Sequence, residues 1–331
     1  MHIGLAGAGR IGAFHAGVLR GSSLVDGLTV ADADPERASR VAAAVGAGCV
    51  ATPEELPGAG IDALVIAAAT PAHPRLIELA AEAGLPCFCE KPIALDLATT
   101  DAVLDHVRRA GILLQIGFQR RFDAGYRAAR EAVRSGAIGD VHLVRLAGHD
   151  PTPPPEQYVA ASGGIFTDLA VHDFDIAAWV LGRPVVEVYA DGVASDPLFA
   201  RHHDVGVAAA VLRFDGDVMG VLSAARIDPR GYDIRMELFG SRDSVAVGLD
   251  GRTPLRSLEP GVPAPAEAGW RDFMERFRPA YRAELEGFLQ SVRDGGPSLC
   301  GGYEARRALT VALAAERSRS ERRPVAVAEV G

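Results

Sequence analysis

HIGLAGAGRIGAFHAGVLR, residues 2–20, decides the fold of the first third of the chain. Its first six residues are strand-like and end on the first of three motif glycines, and the remainder has helical spacing. Gly7, Gly9 and Gly12 form GxGxxG, a pattern that carries weight only between a strand and a helix, which is where it stands here. The next apolar run, LTVAD (28–32), ends on Asp32, twenty residues beyond Gly12 (32 − 12). Each glycine has a reason. Gly7 permits the tight turn, Gly9 lets a pyrophosphate approach the backbone at the positive end of the helix, and Gly12 lets helix and strand pack closely. Asp32 is suited to the hydroxyls of an adenosine ribose, and its charge repels a 2′-phosphate. With Ala33 after it, the expected dinucleotide is NAD rather than NADP. Arg10 and Ile11 belong to the same cofactor loop.

Outward from this stretch, short apolar runs alternate with amphipathic segments: DALVIAA (62–68), PCFCE (86–90) and ILLQIGF (112–118), with PERASRVAAAVG and HPRLIELAAEAG among the helical patterns. Continuous apolar strands joined through helices imply a parallel sheet covered on both faces. The first domain, 1–121, is therefore expected to be a doubly wound Rossmann sheet of α/β class. After Phe122 the rhythm changes. A helix (DAGYRAAREAVRSG), a longer strand (DVHLVRLAGHD), a Pro-rich loop (PTPPPEQY) and a helix over 166–181 precede several strands joined by short turns. These predict a second domain, 122–331, of α+β class, with an open, mostly antiparallel sheet and two closing helices near 271–293 and 303–319. The Pro- and Gly-rich segment 251–268 reads as a surface loop.

The net charge is −9, with 48% hydrophobic residues among 331. No basic stripe is present, so nucleic acid and anionic membrane are poor partners. No apolar run approaches the roughly 18 residues of a membrane span, and the first residues lack signal-peptide features. A cytoplasmic location is expected. Of the four cysteines, Cys87 and Cys89 stand two apart on one strand face, which suits buried thiols; no metal ligand set is expected.

Of 34 Lys plus Arg, one is lysine: Lys91, in AGLPCFCEKPIAL (83–95). It falls just past a strand, on the edge where ligands of such sheets bind. Ala69 and Thr70 end the preceding strand on that edge, with His73 and Glu90 as further cofactor-side candidates. A compact ammonium can serve one oxygen in a way that a guanidinium cannot. Pro92 is a candidate for a cis peptide that aims the lysine inward. In the second domain, SGGIFTDLAVHDFDIAAWVLG places Asp168 and His172 four apart, on one helical face. Such a pair can act as a general base with its orienting carboxylate, or serve as a helix cap with a buried ion pair. The residues alone leave both open.

GAGRIG at the N-terminus, CEKP (89–92), GFQRRFD (117–123) and DLAVHDFD (168–175) together resemble the Gfo/Idh/MocA oxidoreductases. The resemblance covers the whole chain. Within that family the segments HDPTPPPEQYVAASGGIF, RGYDIRMELFGS and FRPAYRAELEGF are most similar to those of NAD-dependent inositol 2-dehydrogenases. It implies a catalytic set of Lys91, Asp168 and His172, with Arg120 at the substrate. His149, Asp150, Tyr232 and Tyr281 are further substrate candidates. It also implies a homodimer or homotetramer formed through the C-terminal sheet. Two departures stand out: Ala178 where the family often has arginine after HDFD, and a slightly longer SAARIDPRGYD. The expected reaction is oxidation of a cyclic polyol, myo-inositol or a close relative, to its ketone. His172 takes the hydroxyl proton, Asp168 orients the imidazole, and Lys91 stabilises the alkoxide. Another sugar or cyclitol, an NAD-dependent glycosidase and a non-catalytic NAD sensor are the alternatives.

Overall fold

The computed structural model describes residues 1–331. The chain divides into two compact units. One comprises Met1–Phe118 with Tyr281–Arg307; the other comprises Gln119–Ala280 with Ala308–Gly331.

The first unit holds six parallel strands: β1 (His2–Ala6), β2 (Gly27–Ala31), β3 (Gly48–Cys49), β4 (Ala63–Ile66), β5 (Cys87–Glu90) and β6 (Leu114–Gly117). Their order is β3-β2-β1-β4-β5-β6, every pair parallel. The apolar runs explain this: β4, β5 and β6 are buried at every position, as a sheet covered on both faces requires. Strand order reverses between β1 and β4, and the carboxyl ends on either side of that reversal form the ligand edge of such sheets. Local chemistry sets the crossovers. Asp34 caps the helix Pro35–Val45 through the Glu36 and Arg37 amides, and Gly46 closes it in a left-handed conformation. The two-residue β3 is too short to leave a periodic signal in the sequence.

The expected second domain, 122–331, differs from the observed unit in one segment: the first closing helix and the start of the second pack with the first unit, while Ala308–Gly331 stays with the second. Tyr281–Arg307 packs with the first unit. Leu285, Phe288 and Leu289 join Ile3, Leu5, Val30, Val65 and Phe88 in one core. Phe88 and Phe288 meet at 5.9 Å between ring centroids. Gln115 donates to the Glu284 carbonyl at 3.1 Å, and Ile116 N–H to the Cys300 carbonyl at 2.8 Å.

The second unit is built on a seven-stranded sheet. Its strands are β7 (Val141–His149), β8 (Val185–Val193), β9 (Val207–Phe214), β10 (Val218–Ala225), β11 (Asp233–Gly240), β12 (Ser244–Val247) and β13 (Val325–Ala326). The order is β12-β11-β7-β10-β9-β8-β13. Only β7 and β10 run parallel; the other pairs are antiparallel, as expected. β9 and β10 alternate buried and exposed residues, so one face is covered and the other is open. The helix Val171–Leu181 is buried on nearly all sides. The helix expected over 166–181 opens with a π turn, Phe166–Ala170, after Gly163 and Gly164 with φ of 79° and 88°. A short helix, Glu156–Ala161, begins within the expected Pro-rich loop. Residues 251–268 contain no helix or strand. No helix is long and apolar enough to cross a membrane.

Candidate active site

In the first unit the glycine loop is built as its spacing predicts. Gly7 has φ +103°, and a Cβ there would stand 2.5 Å from the Ala67 carbonyl; a Cβ on Gly12 would stand 2.0 Å from the Gly7 oxygen. Gly9 differs: a Cβ built on it meets nothing within 4 Å. The backbone there faces open space. Gly9 is also the N-cap of helix Arg10–Arg20, with no capping side chain and no acid in the first turn. First-turn amides without a side-chain cap at the positive end of a helix fit a pyrophosphate. Arg10 is exposed and Ile11 half-buried beside them.

Asp32 closes β2 and is buried. Its carboxylate accepts the Ala8 N–H at 2.6 Å and the Asp34 N–H at 2.8 Å, with Arg37 at 3.3 Å. It thereby ties the glycine loop to the next turn. Beyond β4, Ala69 and Thr70 enter a short 3-10 turn, Thr70–Ala72, Ala69 exposed and Thr70 half-buried. Three other sequence candidates face inward. His73 is buried, with Nδ1 2.7 Å from the Pro92 carbonyl and Nε2 3.0 Å from the Ala68 carbonyl. Both ring nitrogens are engaged by backbone, so His73 is not presented to a dinucleotide. Burial pushes its imidazole below the ordinary value, against the pull of the two carbonyls and Glu90. Glu90 bonds His15 at 2.7 Å. Tyr281, expected at the substrate, is buried with its ring against Phe14 and His15 at 5.7 and 5.9 Å. Lys91 follows β5, half-buried, and the Lys91–Pro92 peptide is cis.

In the second unit Asp168 lies in the π turn and His172 in the first turn of the helix that follows. Asp168 Oδ1 accepts from the Tyr158 hydroxyl at 2.7 Å and Oδ2 from Arg226 at 2.8 Å. Arg226 also reaches Asp150 at 3.1 Å. Burial opposes the Arg226 charge but is outweighed by these two carboxylates, so the guanidinium is held above its usual range. Burial of the Tyr158 hydroxyl, then the neighbouring Asp168, pushes that phenol up. Tyr158 and Arg226 escaped the sequence reading. The only sign of Arg226 is a cation at the end of an alternating strand, in the segment whose length departs from the pattern.

Arg120 is placed otherwise than expected. It is 1% exposed, donates to Asp173 at 2.6 Å and lies 5.9 Å from the centre of the Phe277 ring. It forms a core ion pair through Nη1, while Nε and Nη2 are buried with no hydrogen-bond partner in the protein. Burial pushes Asp173 up against the pull of Arg120; on Arg120 burial is outweighed by Asp173 and nearby phenols. A guanidinium does not give up its proton in proteins, and the 2.6 Å contact is that of an ionised pair. Arg121 forms the analogous pair with Asp175 at 2.6 Å. Tyr232 is also buried, its N–H bonded to the Trp270 carbonyl at 2.7 Å and its ring edge-on to Phe277. His149 is half-buried and bonds Ser223 at 2.6 Å. Asp228 and Asp233 lie near it, three potential ligand atoms within 4.8 Å. Arg235 takes both oxygens of Asp233 at 2.8 and 3.0 Å, so this cluster is built as ion pairs.

A six-stranded doubly wound sheet with this glycine loop, the acid at the end of β2 and a lysine past β5 defines a nicotinamide-dinucleotide oxidoreductase. Family models agree. Residues 1–118 match the oxidoreductase family with NAD-binding Rossmann fold, and residues 126–246 match the GFO/IDH/MocA C-terminal domain. The chain belongs to the GFO/IDH/MocA oxidoreductase family. It is 41% identical to the myo-inositol dehydrogenase Hyg17 of Streptomyces leeuwenhoekii, over 96% of this chain and 97% of that one. The solved structure of a myo-inositol dehydrogenase from Corynebacterium glutamicum superposes with a TM-score of 0.91 at 34% identity, covering 98% of each chain. A scyllo-inositol dehydrogenase from Lactobacillus casei, solved with NAD(H) and scyllo-inositol, gives 0.89 at 25% identity, covering 99% of each chain.

Proposed function

We propose that the protein oxidises a ring hydroxyl of an inositol-type cyclitol to the ketone, with NAD⁺ as the oxidant. The observation that carries this reading is the turn Glu90–Lys91–Pro92. It presents the one lysine of an arginine-rich chain at the carboxyl end of β5. The inositol dehydrogenases to which the chain is similar over its full length support the substrate class.

The cofactor is held by the amides after Gly9, with Asp32 at the adenosine ribose and Ala69–Thr70 along the far edge of the crevice. The chemistry supplied by bound NAD⁺ is acceptance of a hydride from the carbinol carbon. The protein's own residues manage the proton and the charge. His172 takes the hydroxyl proton as general base. Lys91 donates a hydrogen bond to the same oxygen as it gains charge, an interaction stronger in the transition state than in the ground state. Asp168 orients the imidazole and is itself fixed by Tyr158 and Arg226. Those two donors hold its carboxylate still. Asp150, on the other side of Arg226, and His149 are the polar groups offered to the remaining ring hydroxyls.

The test is NADH formation with myo-, scyllo- and D-chiro-inositol beside glucose, xylose and galactose. Turnover concentrated on one inositol supports the reading; turnover on an aldose alone moves the substrate class to sugars and keeps the catalytic set. Lys91→Arg should lose about 10²–10³ in turnover while still binding NAD. Activity within about tenfold of the parent would remove Lys91 from the chemistry.

The open face of the second sheet carries Val186, Tyr189, Val207, Val211, Met219 and Val221, each 38–42% exposed. Such a patch suits a second copy of the chain. We therefore read the protein as a homo-oligomer through this face, dimer or tetramer. Sedimentation of the parent and of a Val211→Lys, Val221→Glu variant tests it; an unchanged mass would refute that contact.

A further inference from the structure

The residues on either side of Lys91 are each gripped by a buried histidine from a different helix. On the amino side, Glu90 accepts a hydrogen bond from His15 Nε2 at 2.7 Å. His15 sits on the helix that opens at the glycine loop and is 0% exposed. Its other nitrogen, Nδ1, is buried without a partner, which places the ring proton on Nε2, toward the carboxylate. The rings of Phe14, Phe88 and Tyr281 stand 5.9 Å from the imidazole and fix its plane. Glu90 is confined as well, because a Cβ on Gly117 would stand 2.9 Å from its Oε2. On the carboxyl side, His73 lies at the start of the helix beyond β4 and is 1% exposed. Its Nδ1 stands 2.7 Å from the Pro92 carbonyl and its Nε2 3.0 Å from the Ala68 carbonyl, and the neutral ring's single N–H, on Nδ1, serves the closer Pro92 oxygen. The residue between the two grips is the lysine.

We propose that His15 and His73 are positioning residues that clamp the Glu90–Lys91–Pro92 turn from both sides and so set the position of the Lys91 ammonium. The physical argument concerns entropy. A lysine carries up to about 2 kcal/mol of side-chain conformational freedom, and the β5 ladder ends at Glu90, opposite Gly117, leaving Lys91 and Pro92 beyond it. The two buried contacts, one to the Glu90 carboxylate and one to the Pro92 carbonyl, fix the turn from which the lysine side chain starts before substrate arrives. The grips come from the helix that receives the pyrophosphate and from the helix behind Ala69–Thr70. The lysine is thus referenced to both edges of the cofactor site, and a displacement near 1 Å can cost about 10²-fold in rate.

The proposal rests on the assignment of Lys91 to the chemistry, and the experiment separates the two. Lys91 is the sole lysine, so reductive methylation with ¹³C-formaldehyde labels this side chain and the N-terminal amine alone. The dimethyl-lysine resonance then reports its surroundings without any turnover. In His15→Leu and His73→Leu the resonance should move toward the free-lysine position and sharpen. In His15→Gln and His73→Gln, which keep an N–H donor, it should stay near the parent's. In unlabelled proteins kcat should fall about tenfold or more in each leucine variant, with the NAD Kd within about threefold and most of the loss restored by glutamine. In a Lys91→Ala background the same leucine substitutions should change kcat by less than about twofold, since they act through a group already removed. An unmoved resonance, or equal losses with and without Lys91, overturns the clamp. A shifted resonance with undiminished kcat, joined to an active Lys91→Ala, would instead overturn the role of Lys91. If a leucine variant fails to fold, the glutamine and alanine variants and their labelled spectra decide the matter.

Discussion

Replacing Arg120 by methionine should unfold the second unit far more readily and leave substrate affinity nearly untouched. Arg120 and Asp173 are both buried, joined at 2.6 Å. With charge centres about 4 Å apart and an effective dielectric near 20, their attraction is about 4 kcal/mol. Removing one partner leaves the other as an uncompensated buried charge, at a cost of about 3–5 kcal/mol. Asp173 Oδ2 has no partner in the parent, so the stranded carboxylate has no alternative donor at hand. The assay is urea unfolding followed by tryptophan fluorescence. Both tryptophans, Trp179 and Trp270, belong to the second unit, and the signal reports that unit specifically. With a urea slope of about 2–3 kcal/mol/M, the midpoint should fall by about 1–2 M. Asp173→Leu should do the same. The double variant Arg120→Met, Asp173→Leu should recover most of the loss, because an apolar pair of similar volume replaces an ion pair at little net cost. A midpoint within about 0.3 M of the parent, together with a raised KM for the cyclitol, would refute the reasoning and return Arg120 to the substrate.

Gly12→Ala puts a Cβ 2.0 Å from the Gly7 carbonyl oxygen; it should cost at least about 1–3 kcal/mol and abolish NAD binding, read by a thermal scan and a dinucleotide titration. Asp32→Ala leaves the Ala8 and Asp34 amides without their acceptor. NAD affinity should drop tenfold or more, about 1.5–3 kcal/mol, and the preference over NADP should narrow, and equal titrations of parent and variant would count against it. His73 is held below its ordinary value of about 6.5 by burial. The unfolded chain therefore takes up that proton first as pH falls. The stability contributed by the neutral ring is complete above about 6.5 and lost as pH falls from there through the folded value. His73→Gln should show a smaller loss of melting temperature than the parent on going from about pH 7 to 5, and an equal loss would assign the acid sensitivity elsewhere.

Reading the chain in order discloses what neighbours in the chain decide. Gly7, Gly9 and Gly12 act within one turn, and a positive φ or a 2.0 Å approach is dictated over a few residues. The alternation of apolar runs with helical segments gives a parallel sheet because buried strands must be apolar on both faces. The lone lysine is visible by composition alone. Pairs brought together from distant parts of the chain are decided by the tertiary structure. Arg120 meets Asp173 across 53 positions, His15 meets Glu90 across 75, and Asp168 meets Arg226 across 58. An arginine in a motif has the same local signature whether it faces a ligand or a buried carboxylate; its partner settles which. Tyr281 and the helix that carries it read as part of the second domain because they follow it in sequence. Burial of Leu285, Phe288 and Leu289 against the first sheet assigns them to the first unit, since apolar area is removed from water wherever the chain can bring it, regardless of order along the chain.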